Sequence, residues 1–305
     1  MKFTKLLPNS CDFRDLIDNN RIYVDKTALI CQIAKDEKGP YFISRPRRFG
    51  KSTLINTLHE LFAHGTEKFK GLEIEPLWHD KTYKVLHLDF SSYNFLSEIN
   101  FCDYFYEDLK QKFIELGFSV NDSNLSLKAP GLLVDNAFKN NHSGEEIVLL
   151  VDEYDTPLSA VLNNEKEFIA RRDILHSFYS KVKEYQGRFR FIFITGVTYY
   201  SHTSIFSALL GYTSEELELY FGEYIDNAVE VLNKKYHTER YTHDVVVSEL
   251  KRNYDGYSFD EEALNHVYNP WSIVNFFDAP VREFIPYWVA SGGATPTFLV
   301  NYLKQ

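Results

Sequence analysis

Three short strings carry residue types that could handle a phosphate chain and a metal ion. The first is Ser44-Arg45-Pro46-Arg47-Arg48-Phe49-Gly50-Lys51-Ser52, followed by Thr53. A glycine lets the backbone come close to an anion. N–H groups at a helix start, with the helix dipole behind them, attract negative charge. Lys51 would reach β- and γ-phosphates, and the Ser52 hydroxyl would ligate Mg²⁺. The second string is Asp152-Glu153, directly after the apolar run Ile147 to Val151. An acid at a strand tip beside a phosphate loop holds the Mg²⁺ water shell, and a glutamate after it can act as general base on the attacking water. The third is Thr195-Gly196, after Phe191 to Ile194. A hydroxyl there could contact a γ-phosphate or the attacking water.

Each string also has a plainer reading. Gly50-Lys51-Ser52 alone fits a basic surface turn or a patch for a nucleic-acid backbone, and Arg45 stands where the general pattern GxxxxGK[ST] has its first glycine. Asp152-Glu153 fits an ordinary N-cap and first-turn acid. Thr195-Gly196 fits a strand-ending turn. Taken together, their order, spacing and strand-end placement favour a nucleotide site.

The elements that must position these strings follow from apolar patterning. Tyr41 to Ser44, Val85 to Phe90, Ile147 to Val151 and Phe191 to Thr195 are short apolar runs suited to buried strands. Between them lie helical patterns. Leu54, Ile55, Leu58, Leu61 and Phe62 share one face after Lys51, and Ile174, Leu175, Phe178 and Val182 share one within 168–185. Alternating strands and helices predict an α/β fold with a parallel sheet and crossover helices. Beyond about residue 210 the strand runs stop. A helix is expected over 214–235, with Ser214 as its N-cap. Shorter helices follow, punctuated by Asp255-Gly256, Asn269-Pro270 and Gly292-Gly293. The expected division is therefore an α/β domain over 1–210 and a smaller, mainly helical region over 211–305.

Composition sets outer bounds. The 305 residues are 44% apolar and 25% charged, which excludes a disordered or collagen-like chain. A net charge of −10 argues against non-specific coating of nucleic acid, although a local basic patch could bind phosphate. Cys11, Cys31 and Cys102 are scattered, form no CxxC pair, and suggest a reducing compartment. With no apolar leader and no long apolar run, the expected location is the cytoplasm, away from membranes. The 10 histidines show no metal-ligand spacing.

With these strings in place the chain resembles the bacterial AAA-ATPase-like proteins. The resemblance rests on Tyr23 to Thr27, Arg45 to Ser52, Leu150 to Asp155, Phe193 to Val197, Ser204 to Ser207, Gly211 to Thr213, Tyr254 to Tyr257 and Tyr268 to Pro270, in the family's order. It implies a P-loop NTPase fold of the class with a strand between the phosphate-loop and Asp-Glu strands. A helical lid or winged-helix-like region follows. ATP and Mg²⁺ are the implied cofactors. The implied nucleotide-binding residues are Arg45, Pro46, Arg47, Arg48, Phe49, Gly50, Lys51, Ser52 and Thr53. Ser52 and Asp152 are the implied Mg²⁺ ligands, with Glu153, Lys51 and Thr195 in catalysis. The family itself carries arginine at the Arg45 position. A homo-oligomer, an effector protein or an attached PD-(D/E)XK nuclease-like domain are the partners it implies.

This sequence departs from the family in three places. Tyr199 stands where relatives have lysine, Ser258 where they often have arginine, and a segment usual between Leu210 and Gly211 is absent. Asp25 and Lys26 sit near the nucleotide by resemblance, or form a surface ion pair. Asp155 is a further Mg²⁺-shell candidate or a first-turn acid. Arg171, Arg172, Arg188 and Arg190 include the arginine-finger candidates, each also readable as a solvated residue. Glu249-Leu250-Lys251 matches half of a nuclease signature but falls on a helical pattern. The leading expectation is an ATP-dependent switch or hydrolase. The alternatives are a nucleotide-binding regulatory module with little turnover, and a nucleic-acid-associated component gripping a backbone through Arg45, Arg47 and Arg48.

Overall fold

The computed structural model describes residues 4–35, 40–95, 101–121, 128–141, 144–197, 211–258 and 266–285. Thr198-Tyr199, Ser204 to Ser207, the junction at Leu210 and Gly292-Gly293 lie outside the described residues.

In chain order the elements are α1 (Phe13–Asp18), α2 (Thr27–Lys35), β1 (Tyr41–Ser44), α3 (Lys51–His64), β2 (Lys84–Asp89), α4 (Phe101–Glu115), α5 (Pro130–Asn140) and β3 (Ile147–Asp152). They continue with α6 (Thr156–Ser159), α7 (Glu165–Glu184), β4 (Phe189–Gly196), α8 (Ser214–Tyr236), α9 (His243–Tyr254), β5 (Asp255–Ser258), β6 (His266–Tyr268) and α10 (Pro270–Asp278). They group into two compact units. One comprises residues 27–45 and 54–201, the other 1–26, 46–53 and 202–305.

The first unit is built on a parallel sheet ordered β1-β4-β3-β2. All four strand runs read from the sequence are in it, and the last to be made, β4, lies between β1 and β3. Every residue of β3 is buried, which is why Ile147 to Val151 reads as unbroken apolar sequence rather than alternation. The predicted apolar face Leu54, Ile55, Leu58, Leu61 and Phe62 is buried throughout. Around α4, α5 and α7 the core is aromatic. Phe105 is fully buried, with its ring 5.1 Å from those of both Phe90 and Phe178 in edge geometry.

The second unit is mainly helical. On α8, Leu217, Phe221, Ile225, Ala228 and Leu232 form one buried stripe, joined by Val246 and Leu250 of α9 and by Ile273, Phe276 and Phe277 of α10. Ile22 and Val24 belong to the same core, so the N-terminal stretch groups with these helices rather than with the sheet. Burial of apolar side chains decides that grouping, and distance along the chain does not.

Two local expectations are corrected here. The N-cap of α8 is Thr213, not Ser214. The Thr213 hydroxyl accepts from Glu216 N–H at 3.2 Å while Glu216 accepts from Thr213 N–H at 2.8 Å. Glu216 is the third helical residue only when Thr213 is the cap, so the reciprocal pair selects it. The second correction is that Asp255-Gly256 is more than punctuation. It begins β5, which pairs antiparallel with β6, and Tyr212 and Tyr268 exchange backbone bonds of 3.2 and 2.7 Å beside it. Runs this short become strands only by finding a partner, which local sequence does not declare.

Candidate functional site

The sheet places three strand ends at one edge. Ser44 of β1 pairs with Gly196 of β4, and Val151 of β3 pairs with Ile194. Asp152, Thr195 and the exit of β1 into Arg45 therefore share the C-terminal edge of the strands, where ligands of open α/β sheets bind.

Asp152 ends β3 and is 4% exposed. Its Oδ1 accepts from the Thr195 hydroxyl at 2.5 Å and from Glu153 N–H at 3.0 Å. Thr195 is fully buried inside β4, so it is not a turn residue. Its hydroxyl serves Asp152. Two donors on one oxygen fix the carboxylate plane, which is what a metal ligand needs from its surroundings.

Glu153 has φ +50°, a left-handed conformation that costs a side-chain-bearing residue energy. Its Oε2 accepts from the Thr156 hydroxyl at 2.9 Å. The cap of α6 is Asp155, which makes no side-chain capping bond. Asp152 and Glu153 therefore play neither the N-cap nor the first-turn part of the plainer reading. The Asp155 carboxylate accepts from Val197 N–H at 3.1 and 3.2 Å, which ties the chain leaving β4 to the chain leaving β3. Tyr154 N–H adds a bond to Thr195 C=O at 3.0 Å. Gly196 is required between them. A Cβ there would lie 2.5 Å from the Tyr154 ring and 2.7 Å from Asp155 Oδ1. That glycine reads in sequence as a plain turn signal.

Arg45 N–H donates to Gly196 C=O at 3.2 Å, and its guanidinium donates to Ser44 C=O at 2.7 Å. Burial pushes the guanidinium down to about 10. An arginine at 8% exposure, bonded to β1 and β4 backbone, is part of the scaffold at the strand edge. Arg47 and Arg48, by contrast, are exposed.

The loop segment of the second unit has its own geometry. Arg48 and Gly50 have φ +68° and +85°, and α3 begins at Lys51. Gly50 takes that conformation without a Cβ penalty, whereas Arg48 pays it. Phe49 is fully buried and anchors the loop. Lys51 is 5% exposed, and its Nζ donates to Pro46 C=O at 3.0 Å, closing the loop on itself. Arg48 stacks its guanidinium on the Trp271 indole, 3.8 Å from the ring centroid. No sequence signal pointed to Trp271, because the contact joins segments far apart in the chain.

The remaining candidates have structural partners. Lys26 pairs with Glu216 at 2.7 Å in a half-buried ion pair, and Asp25 N–H donates to the Tyr220 hydroxyl at 3.1 Å. Arg171 donates to Pro157 C=O, Arg188 to Asn141 C=O, and Arg190 to Asp80 and Ala34 C=O, while exposed Arg172 pairs with Asp173. Glu249 and Lys251 lie on α9, and Glu249 pairs with Arg252. A cavity of about 600 Å³ lies at the start of β4, lined by Trp78, Asp80, Tyr83 and Arg190, away from Asp152.

This strand order and edge can be set beside known proteins. The family model described as predicted AAA-ATPase matches residues 10–206. The chain belongs to the AAA-ATPase-like family. An uncharacterized protein encoded in the vnfD 5′ region of Azotobacter chroococcum mcd 1 is 32% identical over 308 residues, which cover 93% of this chain and 52% of that relative. The chain thus spans about half the length of the curated relative it matches. No solved structure matches it. For this AAA-ATPase-like chain the family implies nucleotide binding, and the arginine at position 45 has the scaffold role just described. Among the described residues no helix is long and apolar enough to cross a membrane.

Proposed function

We propose that the chain binds ATP with Mg²⁺, hydrolyses it, and acts as a switch on a partner or attached effector. The observation that carries this reading is Asp152 at the end of β3, its Oδ1 bonded by Thr195 of β4, with β1 on the other side of β4 running out into the phosphate-loop sequence. The donor set fits a magnesium nucleotide. An ammonium and helix-start N–H groups suit phosphate oxygens, and hydroxyl and carboxylate oxygens suit a hard cation.

In this reading Arg45 to Phe49 and Thr53 shape the loop, Gly50 admits the phosphates, and Lys51 offsets their charge. Ser52 Oγ and the Asp152 carboxylate hold the metal, which when bound would draw charge from the β/γ oxygens. Thr195 orients Asp152. Glu153 takes the proton from the attacking water on a carboxylate oxygen. A second reading, nucleotide binding with little turnover, is favoured by one observation. Glu153 Oε2 already accepts from the Thr156 hydroxyl, which ties that carboxylate oxygen to the turn rather than leaving it for an attacking water.

Calorimetry with ATP and MgCl₂ tests the reading. Heat of binding is expected with wild type and a large loss of it with Lys51→Ala. No heat and no thermal shift at millimolar ATP would overturn it.

A further inference from the structure

Trp271 is the second residue of α10, and its position is fixed from both sides. Before it, the Asn269 side chain caps the helix by accepting from Ser272 N–H at 3.1 Å. After it, Ile273, Phe276 and Phe277 anchor the helix in the core. Yet the indole itself is 37% exposed and faces the Arg48 guanidinium at 3.8 Å.

Arg48 is an expensive residue to hold where it is. It has φ +68°, and its neighbour Arg47 carries the same charge. Partial burial and Arg47 both push its guanidinium below the usual arginine range. A flat, electron-rich ring under the cation offsets part of that cost and fixes the plane of the group. Stacking also has a directional consequence. A guanidinium held by its face donates hydrogen bonds from its edge, and phosphate oxygens take such in-plane donors in pairs.

We propose that Trp271 is a positioning residue that holds Arg48 edge-on to the phosphates of a bound nucleotide, so that the indole senses occupancy of the loop. The inference rests on the nucleotide reading above. It adds a direct route from the phosphate loop to α10 within one unit, and so to the helical core that α10 shares with α8 and α9.

The test combines calorimetry and tryptophan emission, with ATP and MgCl₂ as the probe. Wild type should bind with a change in emission that is absent in Trp271→Phe, while Trp271→Phe keeps its affinity because a ring remains. Trp271→Ala should weaken binding about tenfold, the scale of one cation–π contact, and Arg48→Ala at least as much, because it removes the phosphate donor as well as the stacking. The double variant should lose no more than Arg48→Ala alone, because the indole acts only through that guanidinium. ATP binding that is equally tight in Trp271→Ala, or an emission change that survives in Trp271→Phe, overturns the inference and leaves the nucleotide reading intact. Absence of heat with wild type overturns the nucleotide reading itself, and the inference with it. Circular dichroism spectra matching wild type identify variants that are folded. If Trp271→Ala is not, Arg48→Ala and Trp271→Phe carry the test between them.

Discussion

The hydroxyl of Thr195 donates to Oδ1 of Asp152 across the β4–β3 pair, from a fully buried side chain to a carboxylate at 4% exposure. One short bond thus links the third of the sequence strings to the second. The hydroxyl expected at the sensor position donates to the carboxylate that is the candidate Mg²⁺ ligand.

Thr195→Val keeps the shape and removes the donor. A buried carboxylate oxygen then loses an acceptor bond, which costs about 1–3 kcal/mol and should lower the denaturation midpoint. Thr195→Ser should restore most of it. If Asp152 holds Mg²⁺, the valine variant should also need more MgCl₂ for half-maximal ATP binding, read by calorimetry at fixed ATP.

Glu153→Gln keeps size and leaves Asp152 in place. ATP binding is expected to change little, while turnover falls on the order of 10²- to 10⁴-fold, the range for loss of a general base. The readout is phosphate release under saturating ATP. Unchanged turnover would return Glu153 to a backbone role in the left-handed turn. Glutamine can also accept from the Thr156 hydroxyl, so the local fold should persist.

Gly196→Ala drives a methyl into the Tyr154 ring at 2.5 Å and the Asp155 carboxylate at 2.7 Å. Tyr154 also packs on Phe42, with ring centroids 5.1 Å apart in edge geometry. The expected cost is about 1–3 kcal/mol, visible as a lower melting temperature. The same substitution at Gly187, whose Cβ would meet nothing within 4 Å, is the control.

His243 gives the C-terminal helices a pH dependence. Its Nδ1 lies 2.8 Å from Asp226 and its Nε2 2.8 Å from Glu218, so α9 is pinned to α8 through both ring nitrogens. These bonds raise its pKa above 6.5, led by Asp226, although a cation at the first residue of a helix is otherwise disfavoured. A raised folded-state value means the contribution is complete below about pH 6.5 and is lost as pH rises through the folded pKa. The groups are well exposed, so the effect stays within the ~1 kcal/mol of a surface pair. Urea midpoints from pH 5 to 8.5 should fall slightly in wild type and flatten in His243→Gln.

The three strings and the four sheet strands were legible in sequence for a local reason. β3 is buried on both faces and is apolar from Ile147 to Val151, and a phosphate loop must carry Gly50, Lys51 and Ser52 in consecutive positions whatever surrounds it. The capping box of α8 was legible one residue out of place, since Thr213 and Ser214 are equally good caps until the reach of Glu216 chooses between them. What tertiary structure alone decided are the contacts between distant segments. The strand between β1 and β3 was already implied by the family resemblance, whereas Thr195 on Asp152, Asp155 on Val197, Arg45 drawn into the strand edge and Trp271 under Arg48 were not. None of these pairs shares a helix turn or a hairpin, so no spacing rule reports them. A side chain's type states what bonds it can make, and only the packing of the sheet and of the helical core selects the partner that receives them.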